Sequence, residues 1–159
     1  MKFVSTRDNK KIISFKKVSL EGLAQDGGLY LPNNWEIKNL SYDKKNICFQ
    51  DIAFQVIKNF VGKEISLPHL KSLINESYKN FSNKEITPLR KVENNHWILE
   101  LFHGPTLAFK DIALQFLGNL FSYFLEQSAL LNEPHHLANY LYEISNLFNQ
   151  FYESEKILE

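Results

Sequence analysis

With 159 residues, 44% of them apolar and 14% aromatic, the chain has the length and composition of one folded domain and not of a disordered segment. Eighteen basic against eighteen acidic residues leave a formal net charge of zero, which removes charge-driven attraction to nucleic acid or to a membrane surface as a default function. Cys48 is the single cysteine, the start from Met1 to Asp8 turns charged before a signal-peptide core can form, and no apolar run reaches the ~18 residues of a membrane-spanning helix, so the expectation is a cytoplasmic protein without an intramolecular disulfide.

In chain order, Lys2 to Ser5 and Lys11 to Phe15 are strand-like and bracket the polar turn Arg7-Asp8-Asn9-Lys10, which predicts a hairpin. Asp26-Gly27-Gly28 can reach the positive φ of a tight turn, and it feeds Leu29-Tyr30-Leu31, closed by Pro32. Two helices follow. Phe49 to Val61 places Ile52, Ala53, Val56, Ile57, Phe60 and Val61 on one face, with Gly62 at the C-terminal cap. Pro68 to Phe81 turns Leu70, Leu73, Ile74, Tyr78 and Phe81 inward, with the proline near its start. Asp51 reads as a helix-start acid and His69 as a surface imidazole, because neither has a spaced companion that would make it catalytic. Leu89 to Val92 and Trp97 to Phe102 flank the polar turn Glu93-Asn94-Asn95-His96 and predict a second hairpin.

The outgoing strand of that hairpin runs into Glu100-Leu101-Phe102-His103-Gly104-Pro105-Thr106-Leu107-Ala108-Phe109-Lys110-Asp111. Gly104-Pro105 breaks the strand, and from Phe109 onward Ala113, Phe116, Leu117, Leu120, Phe121, Phe124 and Leu125 recur at helical spacing. Lys110 is therefore delivered to the first turn of a helix among Leu107, Ala108, Phe109 and Ile112. Apolar surroundings and the positive end of the helix dipole both favour the neutral amine, a nucleophile able to form a Schiff base with an aldehyde such as pyridoxal phosphate. The alternative reading is a lysine that snorkels to water. His103 and Thr106 could orient substrate or cofactor by hydrogen bonds or serve local structure, and Asp111 could cap the helix or hold Lys110.

The stretch from Glu100 to Asp111 resembles the pyridoxal-lysine motif of threonine synthases, and Gly22-Leu23-Ala24-Gln25-Asp26-Gly27-Gly28-Leu29-Tyr30-Leu31-Pro32 resembles that family's N-terminal signature. The resemblance covers residues 1 to 125 and implies an α/β protein (α+β for the isolated fragment), the N-terminal part of a pyridoxal-phosphate enzyme of fold type II, the tryptophan-synthase-like type. It implies that Lys110 holds pyridoxal phosphate, with His103, Thr106 and Asp111 as orienting candidates. The reaction implied is conversion of the small molecule O-phosphohomoserine to threonine with release of phosphate. In the family a Ser/Gly/Thr-rich loop after this helix binds the cofactor phosphate. Here residues 119 to 159 contain no glycine, and the expectation is a truncated chain that lacks the phosphate loop and most of the catalytic domain.

From Pro134 the pattern changes. Leu137, Tyr140, Leu141, Ile144, Leu147, Phe148, Phe151 and Tyr152 form one stripe of an amphipathic helix. Residues 133 to 158 resemble the C-terminal anticodon-binding domain of arginyl-tRNA synthetases, and the two resemblances together divide the chain into 1–127 and a helical tail at 128–159. That tail carries Glu133, Glu143, Glu153, Glu155 and Glu159 against Lys156, and such an acidic helix repels phosphates, so a nucleic-acid partner is not expected. His135 and His136 are adjacent, diverge by about 100° on a helix, and make a poor metal pair. The apolar faces at residues 109–125 and 137–152 predict an antiparallel helix pair through the turn near Asn132-Glu133-Pro134, or self-association where they stay uncovered. The alternative to a synthase is a non-catalytic helical assembly module or a remnant of a tRNA synthetase.

Overall fold

The structure, a computed structural model, describes residues 1–35 and 47–130. It divides into two compact units, Met1–Leu120 and Phe121–Glu159.

In the first unit, β1 (Phe3–Ser5) pairs antiparallel with β2 (Tyr30–Pro32), Phe3 opposite Pro32 and Ser5 opposite Tyr30. This corrects the predicted hairpin of Lys2–Ser5 with Lys11–Phe15. Only Ile13 bridges Phe3, and Phe15 opens the helix α1 (Phe15–Glu21). Ser14 caps α1 by accepting from the Lys17 amide, and Glu64 accepts from the Phe15 and Lys16 amides at 3.0 and 2.9 Å. A carboxylate at a helix N-terminus satisfies orphan amides and complements the dipole. It arrives from 48 residues away, so no local pattern could reveal it. The turn before β2 is built on Asp26, whose Oδ1 accepts from the Gly28 amide and from Ser5 Oγ, both at 2.8 Å. Those bonds, led by the Gly28 amide, hold its carboxyl below the usual range. Gly27 takes φ +73° there.

The helix α2 (Phe49–Val61) has the predicted bounds and ends at Gly62, φ +61°. Asp51 folds back at its start, accepting from Cys48 Sγ at 3.0 Å. The helix α3 (Leu67–Tyr78) starts at the cap Ser66 and stops three residues before the predicted Phe81. The core lies between α2, α3 and the following loop: Val61, Ile65, Leu70, Ile74, Tyr78 and Ile86 are each at most 5% exposed. Burial also raises the Tyr78 hydroxyl above its usual range, and that hydroxyl donates to the Ile112 carbonyl at 2.9 Å.

The second predicted hairpin is present. β3 (Leu89–Glu93) pairs antiparallel with β4 (His96–Leu99), Leu89 opposite Leu99, around a turn in which Asn95 takes φ +65°. Every residue of both strands is exposed. The helix α4 (Asp111–Leu130) follows; its residues to Leu120 belong to the first unit and those from Phe121 to the second. In the second unit Phe124 and Ser128 are buried. Helices with two small antiparallel ribbons make an α+β arrangement. The predicted tail helix at 133–158, its acidic face, and the antiparallel pairing through Asn132–Pro134 lie outside the described residues.

Candidate active site at the strand-to-helix turn

The segment from Glu100 to Asp111 leaves β4 and enters α4, and two carboxylates fix its ends. At the entry, Glu100 is 8% exposed and accepts from Arg90 Nε at 2.9 Å and from His103 Nε2 at 2.7 Å. Its own amide donates to the Pro88 carbonyl at 3.0 Å. The His103 carbonyl accepts from the Ser82 amide at 2.9 Å, so the chain is anchored to the loop after α3 as well. At the exit, Asp111 is 2% exposed and accepts from the Thr106 amide and the Thr106 hydroxyl, both at 2.8 Å, and from Gln115 Nε2 at 3.4 Å. Burial pushes the Asp111 carboxyl upward, and the hydrogen bonds from Thr106, Gln115 and Ala108 together outweigh it, leaving the group below its ordinary value of 3.8.

Gly104 is where the two ends meet. A Cβ there would collide with the Asp111 side chain, so only glycine lets the turn close on that carboxylate. Leu107, at φ +59°, completes the reversal with a left-handed residue that is not glycine, and its side chain projects outward.

Lys110 stands at the start of α4. It precedes the first residue of α4 as the cap, and its carbonyl accepts from the Ala113 and Leu114 amides at 3.1 and 2.8 Å. Its side chain is exposed and lines an open apolar trough of about 380 Å³ with Leu101, Phe109, Ile112, Ala113 and Leu114. Thr106 and Asp111 are brought together, whereas His103 is held apart from them by Glu100. The Asp111 carboxylate accepts from Thr106 and Gln115 and its amide donates to the Ala108 carbonyl, so it shapes the turn.

Sequence reasoning assigned no role to Glu100, Arg90 or Ser82. The available signal was an acid at the end of an apolar strand with a histidine three residues on, too short a pattern to separate a buried pair from a surface one. Arg90 and Ser82 come from the opposite strand and the preceding loop, and only the fold brings them in.

Residues 2–78 match the family described as threonine synthase N terminus, and residues 70–159 match the DALR anticodon binding domain, a longer span than the 133–158 read from the sequence. Threonine synthase of Schizosaccharomyces pombe is 47% identical over 128 residues, which cover 77% of this chain and 24% of that relative. Threonine synthase of Pseudomonas aeruginosa is 42% identical over 127 residues, 79% of this chain and 27% of that relative. Among solved structures, pyridoxal-phosphate-bound threonine synthase from Brucella melitensis is similar with a TM-score of 0.72 at 36% identity, covering 81% of this chain and 28% of that one. Yeast threonine synthase gives 0.72 at 44% identity, covering 80% and 27%. The chain thus spans about a quarter of the length of the curated relatives it matches. A structural match over 81% of the chain must run well past residue 70, so much of the segment claimed by the anticodon-binding model folds as threonine synthases do. By these matches the chain belongs, over its N-terminal part, to the threonine synthase family, a fragment of the pyridoxal-phosphate fold type II, and it joins that part to a segment of the DALR anticodon binding family.

Proposed function

We propose that this chain carries the lysine-bearing turn of a threonine synthase, serving the conversion of O-phosphohomoserine to threonine and phosphate, with Lys110 as the catalytic and cofactor-holding residue. The observation that supports it most is the position of Lys110: an exposed amine at the rim of an apolar trough, on a turn fixed at both ends by buried carboxylates. The residues present fit one end of pyridoxal phosphate. Leu101, Phe109 and Ile112 offer an apolar bed for its ring and Lys110 an amine for its aldehyde. They do not fit the phosphate end. The amides of Ile112, Ala113 and Leu114 are taken by the carbonyls of Phe109 and Lys110. When bound, the group supplies an electron sink for carbanion chemistry. Asp111 and Thr106 hold the turn shut on Gly104, His103 offers a ring nitrogen to orient a ligand, and Lys110 presents its Nζ. Residues 1–127 form the synthase-like part and 128–159 the tail, and a cytoplasmic location accords with this chemistry; among the described residues no helix is long and apolar enough to cross a membrane.

Incubation with pyridoxal phosphate, borohydride reduction and peptide mapping tests the reading. The expected outcome is one adduct, at Lys110, absent from Lys110→Ala; labelling spread evenly over surface lysines would overturn it. A second reading, a non-catalytic assembly module, draws on the anticodon-binding match and on apolar side chains left open on the hairpin and turn. Its expected signs are concentration-dependent sedimentation and, for a synthetase remnant, a shift of tRNA mobility.

A further inference from the structure

Arg90, Glu100, His103 and Ser82 form a line of side chains that the capture of an aldehyde by Lys110 does not use. Arg90 Nε and His103 Nε2 converge on the two oxygens of Glu100. The Glu100 side chain is 9% exposed and that of His103 16%. At the far side of the ring, His103 Nδ1 lies 3.4 Å from Ser82 Oγ, whose hydroxyl donates to the His103 carbonyl at 3.2 Å.

A carboxylate paired with a guanidinium can only accept. The 2.7 Å contact therefore requires His103 to present Nε2–H to Glu100, and in the neutral ring this leaves the lone pair on Nδ1. We propose that Glu100 is a positioning residue of the site: it fixes His103 as the Nε2–H tautomer, so that the ring meets a hydrogen-bond donor at Nδ1, a hydroxyl or an ammonium group, and not a phosphate oxygen. The proposal rests on the reading of this turn as the reactive site. It leaves Nδ1 to a donor brought by a ligand, since the Ser82 hydroxyl 3.4 Å away gives its own proton to the His103 carbonyl. Arg90 Nε, on the other carboxylate oxygen at 2.9 Å, helps to aim Glu100.

Nitrogen-15 NMR of the full chain, at a pH where the imidazole is neutral, reads the tautomer directly. One tautomer, Nε2–H, is expected for the unchanged chain and for Ser82→Ala, and a mixture of both for Glu100→Gln, whose amide can donate as well as accept. Rapid averaging between tautomers in the unchanged chain would overturn the proposal. So would a single tautomer that persists in Glu100→Gln or vanishes in Ser82→Ala, and the unchanged chain and Ser82→Ala decide the matter even where Glu100→Gln does not fold. Borohydride trapping on the same samples answers only for Lys110, so loss of the aldehyde-capture reading and loss of this one are separable.

Discussion

Val61, Ile65, Leu70, Ile74, Tyr78 and Ile86 are covered, although Ile52 and Val56 on the predicted face of α2 stay exposed, whereas from Leu89 to Phe109 the chain leaves Leu89, Trp97, Ile98, Leu99, Phe102 and Phe109 more than half exposed. The two regions obey the same backbone rules. Helix α3 is capped by Ser66, and the ribbon is hydrogen-bonded with one register shift between Lys91 and Glu93. What differs is cover: helices pack on one another locally, while a two-stranded ribbon needs a further layer to bury either face. In relatives of which the matched part is about a quarter, much more chain is present to supply such a layer. The region that carries the candidate chemistry is thus ordered by polar contacts, those of Glu100 and Asp111, and the other by apolar burial.

Truncation in the covered region should have the largest effect. Ile74→Ala, at a site 1% exposed, is expected to lower unfolding free energy by about 3 kcal/mol in urea titrations. A cost under about 1 kcal/mol would mean that the core is not packed as described. In the polar-ordered region the corresponding probe is Gly104→Ala, expected to cost about 2 kcal/mol because the added methyl meets Asp111 and must force the turn open. Loss of protection at the Thr106 amide in hydrogen exchange would locate that opening.

Acid distinguishes the regions next. The Asp111 carboxyl sits lower in the folded chain than its free value of 3.8, so the unfolded state takes up the proton first as pH falls. Its contribution is present above that value and is lost as pH drops through the folded one. The thermal midpoint of Asp111→Asn should therefore depend less steeply on pH below about 4 than that of the unchanged chain, and an unchanged slope would remove Asp111 as a clamp. The smallest effect is expected at the ribbon. Trp97→Ser, at a position 55% exposed, should change stability by no more than about 0.5 kcal/mol while reducing any concentration-dependent sedimentation.

Legibility followed the range of the interactions. The bounds of α2 could be read from its apolar spacing and Gly62, and the turn of the second hairpin from Asn94-Asn95, because both signals lie within a few residues. The hairpin predicted at the start failed at Phe15. Ser14 is a local helix signal, but Glu64, which holds the same helix end, is not local. In the candidate site Lys110, Gly104 and Asp111 stood out by type and spacing, while the role of Glu100 needed Arg90 to arrive from the neighbouring strand.

The sequence by itself determined the bounds of α2, the reversal at Asn94-Asn95, and which lysine follows a glycine-broken strand, since these depend on side-chain size, capping and turn chemistry between near neighbours. Tertiary structure alone decided that Ile86, a β-branched residue, takes φ +63° with 2% of its surface exposed, that β1 pairs with β2, and that two carboxylates bracket the lysine turn. The first rests on burial, the second on backbone pairing across more than twenty residues, and the third on local bonds from Thr106 and His103 joined by Arg90 from the neighbouring strand.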